Sequence, residues 1–260
     1  MSPVLGFDLE TVPDVAGLRR LHPDWGAIDD AAIAERAFAE RRERTGSDFL
    51  PLHLHRIVAI GCAFRDDNGL RVKCLGTVQD NEEHLIADFF KLIDRYSPQL
   101  VSWNGGGFDL PVLHYRGLMH GVRAPRYWES GNTDREFRYN NYVNRYHERH
   151  TDLMDVLSMF QARAYAPLDD VSRLCGFAGK LGMGGDQVWK AFGEGRIDAI
   201  RAYCETDVVN TYLLWCRYQK MRGHLDQDAY TSEVGQVRAT LEGLEGAHWR
   251  EFLAAWSAKD

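Results

Sequence analysis

The chain has 260 residues, 45% hydrophobic and 27% charged, with a formal net charge of −7 from 31 Lys+Arg against 38 Asp+Glu. That length can bury one large core or two small ones, and the acidic balance excludes a broad basic face as the means of holding nucleic acid. It does not exclude a nucleic-acid enzyme, because carboxylates that hold divalent cations count as negative in the sequence and are neutralised in the site.

Five cysteines at 62, 74, 175, 204 and 216 form no CxxC pair, which sets aside a zinc knuckle and a disulfide framework. Reduced, mostly buried thiols are expected, and with them a cytoplasmic protein. The opening MSPVLGFDLE has no basic region and no long apolar segment, so neither a signal peptide nor a membrane span is expected.

In chain order, VLGFDLE (4–10) is apolar with carboxylates at its end and reads as a central strand. Residues 14–48 are charged and alanine-rich, with RAFAERRERTG as their clearest helical piece, and read as a helical insertion over the surface. HRIVAIGCAFR (55–65) and LRVKCLGTV (70–78) are strands joined across DDNG, a hairpin turn signal. EEHLIADFFKLIDRY (82–96) has apolar residues at helical spacing, and QLVSWN (99–104) is a short buried strand. FDLPVLHYRGLMHG begins a helix with Asp109 near its cap and Pro111 in its first turn, where proline is tolerated.

Residues 123–150 are rich in Arg, Tyr and Asn, HTDLMDVLSMF returns to strand-to-helix character, and GKLGMGG (179–185) is a loop. IDAIRAYCETDVVNTYLLWCRYQ (197–219) reads as a long helix, and Trp249, Phe252 and Trp256 give the tail at 225–260 a helical spacing of aromatics. Strands alternating with helices predict an α/β sheet covered on both faces, in a single domain over 1–260.

Asp8 and Glu10 are two apart on a strand, so both point to one face, at the carboxyl edge where open α/β sheets place ligands. A D-x-E pair alone is weak, and Asp80/Glu82 and Asp134/Glu136 are rivals, but only Asp8/Glu10 ends a buried strand. Tyr203 and Asp207 are four apart on the long helix and therefore neighbours on one face. They flank an apolar stripe of Ile200, Cys204, Val208 and Trp215. Tyr165 and Asp169 share the spacing, but Pro167 between them argues against a regular helix.

Three glycines occupy SWNGGGFDLPVL (102–113). A phosphate-cradling P-loop needs Gly-Lys-Ser/Thr after its glycines, and here Phe108 and Asp109 follow instead. The glycines are expected to turn the backbone sharply out of the strand and to deliver Asp109 near Asp8 and Glu10. Four carboxylates in one cleft need neutralising: two unit charges about 4 Å apart repel by roughly 4 kcal/mol at an effective dielectric near 20. Two divalent cations would balance them, and hard oxygen ligands favour Mg²⁺ or Mn²⁺ over zinc.

Taken together, FDLET, WNGGGFD and YCETD resemble the three exonuclease motifs of the DEDD superfamily (DnaQ-like) of 3′–5′ exonucleases, in order and in context. The tyrosine four residues before the last Asp is similar to the tyrosine subgroup, DEDDy. The N-x-x-x-F-D form of the second motif is similar to the proofreading exonuclease domain of family-B DNA polymerases. The resemblance covers roughly residues 1–220, with gaps at 14–48 and 123–150. It implies a ribonuclease H-like fold around a five-stranded mixed sheet flanked by helices.

It also implies roles. Asp8, Glu10 and Asp207 would ligate one metal; Asp8 would bridge to a second, to which Asp109 contributes directly or through water. Tyr203 would orient the attacking water. Leu9 and Thr11 would meet the 3′-terminal nucleotide, and Asn104 and Phe108 would line the strand's path. The implied reaction releases nucleoside monophosphates from single-stranded 3′ ends, with DNA favoured over RNA through the family-B similarity alone. An exoribonuclease of the same chemistry, a non-catalytic binding module of the same fold and a small-nucleotide phosphodiesterase are the competing readings.

Segments outside the motifs read more plainly. REFRYNNYVNRYHERH could stack single strands, but a polar surface hairpin fits it equally. Arg41, Arg42 and Arg44 suit a solvated helix face, Asp152 and Asp155 a structural role, and His147 and His150 the surface. The aromatic tail suits helices packed on the body or a face for a partner.

Overall fold

A computed structural model describes residues 3–26 and 28–257; the outermost residues of the expected 1–260 span, and Ala27 within the expected insertion, lie outside them. Five strands, β1 (Val4–Pro13), β2 (His55–Asp66), β3 (Gly69–Cys74), β4 (Gln99–Ser102) and β5 (His150–Asp152), form one sheet in the order β3-β2-β1-β4-β5. The pairs β1/β2 and β2/β3 are antiparallel, and β1/β4 and β4/β5 are parallel. This mixed five-stranded sheet, flanked by helices on both faces, is the ribonuclease H-like architecture that the resemblance implied.

Ten helices accompany it among the described residues: α1 (Val15–Leu21), α2 (Asp30–Thr45), α3 (Glu82–Tyr96), α4 (Asp109–His120), α5 (Leu153–Leu157), α6 (Leu168–Leu174), α7 (Val188–Gly193), α8 (Ile197–Met221), α9 (Gln227–Glu242) and α10 (Ala247–Ala255). Alternation along β1 sets what each face meets. Leu5, Phe7 and Leu9 pack with Ile86, Phe89, Phe90 and Leu113 of α3 and α4. Val4 packs on the opposite face with Val208 and Tyr212 of α8, and Asp8 and Glu10 project from that face too. Gly61 of β2 lets α8 come close: a Cβ there would stand 2.9 Å from both the oxygen and the sulfur of Cys204.

Three boundaries differ from the sequence reading. β1 does not end at Glu10 but runs on to Pro13, because β2 continues to pair with it across a register shift between Glu10 and Thr11. Glu10 pairs with Ala59 and Thr11 with Ile57, which leaves Val58 as the extra residue of a bulge. β3 stops at Cys74, and Asp80 ties the following turn by accepting from the Thr77 N–H at 2.6 Å. Asp109 is not a cap by its side chain: α4 begins with no side-chain cap, and the Asp109 carboxylate serves another strand.

The tail forms α9 and α10, which pack on the body. Trp249, Phe252 and Trp256 are buried in the α8 core, so they offer no face to a partner. In the 123–150 segment Phe137 and Tyr142 turn into the α3/α4 core, with the Arg149 guanidinium 3.8 Å above the Phe137 ring, whereas Tyr139 and Tyr146 are exposed. No described helix is long and apolar enough to cross a membrane.

Candidate active site

A cleft of about 740 Å³ opens where β1 passes beneath α8, lined by Asp8, Leu9, Glu10, Thr11, Asn104, Phe108, Tyr203 and Asp207 among others. Its volume falls in the range of sites that enclose small organic ligands. The bulge that prolongs β1 accounts for its shape, since Thr11 to Pro13 form part of the wall instead of leaving the sheet.

The floor is acidic and sheltered. Glu10, Asp109 and Asp207 are buried and Asp8 half-buried. Carboxylate oxygens of Asp8 and Glu10 lie within 4.8 Å of each other and of Cys204 Sγ. Asp109 and Asp207 are not in that group; Asp207 lines the cleft beside it, whereas Asp109 is not among the lining residues and acts on Asp8 through its charge. One Asp109 oxygen accepts the Leu9 N–H at 2.9 Å, which locks the start of α4 to the strand that carries Asp8 and Glu10. One Asp207 oxygen, Oδ2, lies 2.8 Å from Lys180 Nζ, while the other, Oδ1, is buried with no partner among the described residues.

Burial pushes all four carboxyls above their ordinary range. For Asp8 the neighbouring charges of Asp109 and Asp207 add to it, and for Glu10 those of Asp8 and Asp207. Burial takes Asp109 to about 7. It also raises Asp207, against the opposing charge of Lys180. Such a set is short of positive charge, and an unpartnered buried oxygen on Asp207 is a donor site in waiting. The donor set therefore fits hard divalent cations.

Cys204 does not alter that fit. Its thiol is pushed well above its usual range by burial, accepts the Gly61 N–H at 3.1 Å and points at the Asp8 carbonyl at 3.4 Å. It is a neutral spacer between α8 and the sheet.

Tyr203 sits beside the acids as the helical spacing predicted, its phenol raised by burial and by the adjoining Asp207. Lys180 Nζ lies 2.5 Å from its hydroxyl and joins it to Asp207. Burial works against the Lys180 charge, but Asp207 outweighs it and the ammonium is held above its usual range. Sequence reasoning misses Lys180; its one signal is a lone lysine among glycines, and only the fold shows that this loop lies against Tyr203, Asp207 and Asn210 within the long helix.

The glycine loop is a turn, as expected, and two of its glycines have a steric reason. A Cβ on Gly105 would lie 2.3 Å from Ser102 Oγ, and one on Gly107 would lie 2.5 Å from Asn104 Oδ1. Asn104 itself takes a φ of 66°, which asparagine tolerates. No phosphate is cradled here, because Asp152 already accepts the Asn104 and Gly106 N–H groups, both at 2.8 Å. Asp152 is thus structural, anchoring the loop, and Asp155 receives Tyr165 and Arg145 at 2.8 Å each. His150 is not on the surface: it is buried, bonded to Ser102 Oγ at 2.7 Å, and burial lowers it to about 4.

The rival acids are accounted for elsewhere. Asp134 caps a short 3₁₀ turn and pairs with Arg126, and Glu82 belongs to a buried ion pair with Arg116. Tyr165 precedes α6, and Asp169 lies inside it, so the two do not share a helix face.

A ribonuclease H-like sheet with an acidic, cation-poor cleft at its centre defines the class. The chain belongs to the family described as predicted 3′–5′ exonucleases related to the exonuclease domain of PolB, whose model matches residues 47–256. That match spans Asp109, Lys180, Tyr203 and Asp207 and begins after Asp8 and Glu10; the fold is what sets the two N-terminal acids among the others. No curated protein matches the chain.

Proposed function

We propose that the chain hydrolyses the terminal phosphodiester of single-stranded nucleic acid from the 3′ end, releasing nucleoside monophosphates, with DNA as the favoured substrate. The observation that carries this reading is the acidic floor of Asp8, Glu10 and Asp207, backed by buried Asp109 and short of positive charge, beside a tyrosine held by Lys180 and Asp207. Asp8, Glu10 and Asp207 would hold one divalent cation, Mg²⁺ or Mn²⁺, and Asp8 with Asp109 a second. Bound there, such a pair stabilises the charge that develops on the attacking and leaving oxygens of an in-line displacement.

The chain's own groups do the rest. The Tyr203 phenol keeps its proton, since burial and Asp207 raise it. Lys180 donates to its oxygen and the phenolic hydrogen is given to Asp207; with Asp207 on a cation, that hydrogen would turn to a water and orient it. Thr11 lines the same cleft as Asp8 and Glu10. Its partner His55, 2.9 Å away through Nδ1, is held neutral by burial and spans to the Leu50 carbonyl through Nε2 at 3.1 Å. Nε2 must carry the His55 proton to serve that carbonyl, so Nδ1 accepts from Thr11. The Thr11 oxygen is then left to accept a hydrogen bond, as from a terminal 3′-hydroxyl.

The test is degradation of a 5′-labelled single strand, DNA and RNA side by side, with Mg²⁺ or Mn²⁺, and with EDTA and Asp8→Ala as controls. A ladder that shrinks from the 3′ end and is lost in both controls is expected. Intact DNA and RNA would overturn the reading.

A further inference from the structure

The insertion between β1 and β2 supplies part of the cleft that the motifs do not. Phe38 of α2 and Asp48, Phe49 and Leu50 of its exit loop all line the cleft. Phe49 is 53% exposed, yet its backbone is pinned on every side. Its carbonyl accepts Arg41 Nε at 3.0 Å, its N–H reaches Ser47 Oγ at 3.2 Å, and Asp48 pairs with Arg42 at 2.9 Å. The next carbonyl, of Leu50, is held by His55.

The Phe49 ring stands 5.8 Å from that of Phe108 and 5.0 Å from that of His55, and His55 meets Phe108 edge-on at 5.2 Å. Three rings from three separate segments thus make one aromatic wall, running out from Thr11 on the acidic floor. A large aromatic kept facing water by a pinned loop has no role in the core. Nucleobases have π-faces and stack on such rings whatever their identity.

Resting on the exonuclease reading above, we infer that Phe49 is a nucleobase-stacking residue, by which the helical insertion grips the unpaired 3′-terminal segment and holds it over the carboxylates. A base stacked on both sides inside a duplex has no free face to offer it, so the wall favours a single-stranded end. Phe49 positions substrate and touches no reacting atom.

The test compares wild type, Phe49→Ala and Phe49→Trp on a single-stranded oligonucleotide and on the same strand made abasic at its 3′-terminal positions. Phe49→Ala should raise KM about tenfold on the normal strand, the size of a lost base–aromatic stack, with kcat within about twofold, and Phe49→Trp should restore it. On the abasic strand wild type and Phe49→Ala should coincide. An unchanged KM, or an equal penalty on both strands, would overturn the inference. Affinity for the same strands, read by fluorescence anisotropy in the Asp8→Asn background, measures the Phe49 effect without turnover. An inactive wild type would therefore break the exonuclease reading, while the stacking wall stands or falls on the anisotropy.

Discussion

Two sets of buried carboxylates lie on this sheet, and they are solved in opposite ways. Around Arg116 of α4, Asp14 and Glu82 are paired by the guanidinium, with Arg116 Nη2 2.5 Å and His120 Nε2 2.8 Å from Glu82 Oε2. Glu82 Oε1 also accepts the Ile57 N–H at 2.7 Å, next to the bulge. Every charge in that cluster has its partner, and the cluster stitches α3, α4 and the end of β1 together. In the cleft, Asp8, Glu10 and Asp207 share the Lys180 ammonium, Asp109 lies behind them on the Leu9 N–H, and Asp207 Oδ1 has no partner among the described residues. A balanced cluster holds a fold; an unbalanced one, kept unbalanced by the rest of the structure, is a site for cations.

The sharpest way to break that contrast is to neutralise one acid of each set. Asp8→Asn should lower exonuclease activity on the order of 10³-fold or more, as the loss of one member of a catalytic unit does, while the metal-free protein melts no lower than wild type. Arg116→Met should do the reverse. Leaving Asp14 and Glu82 buried without their cation should cost about 3–5 kcal/mol in denaturant unfolding. Comparable destabilisation by both substitutions would erase the distinction.

Tyr203→Phe keeps the ring and the packing but removes the hydroxyl, and kcat should fall about 10²-fold with KM little changed. An equal fall in the affinity for substrate would place the phenol in binding instead.

The smallest expected effect is in pH. The cleft carboxyls are raised in the native state, Asp109 to about 7. Between the ordinary carboxylate range and that value the native state binds more protons than the unfolded chain. The metal-free protein should therefore lose stability as pH rises through this window. The loss should be shallower in Asp8→Asn. Mn²⁺ at a hundredfold excess over its Kd should return about 2.7 kcal/mol at pH 8 and much less at pH 5, where protons compete. Differential scanning fluorimetry across pH, with and without Mn²⁺, reads both slopes; a slope that ignores the metal would contradict the charge account.

How far the sequence carried this picture follows from what is local and what is not. Alternation along VLGFDLE and the four-residue step from Tyr203 to Asp207 are short-range and fix which face each side chain takes. The face shared by Asp8 and Glu10 and the strand–turn–helix setting of Asp109 could be read locally, and the fold followed from the resemblance of the motifs. What stayed hidden is carried by pairing between distant segments. β1 outlasts its apolar run because the bulged β2 holds it; Lys180 reaches Tyr203 from a loop with no periodicity; Phe49 reaches the cleft because Arg41 and His55 hold its loop. Asp152 looked like a spare acid and proved to be the acceptor that shapes the glycine turn.

The most direct measurement is a calorimetric titration of Mn²⁺ into wild type and Asp8→Asn at pH 8, with cleavage of a labelled single strand followed in the same samples. Saturable binding of two ions by wild type, lost together with cleavage in Asp8→Asn, is what the unbalanced acidic floor predicts. Equal binding by the two proteins, or cleavage that persists without it, would contradict the account.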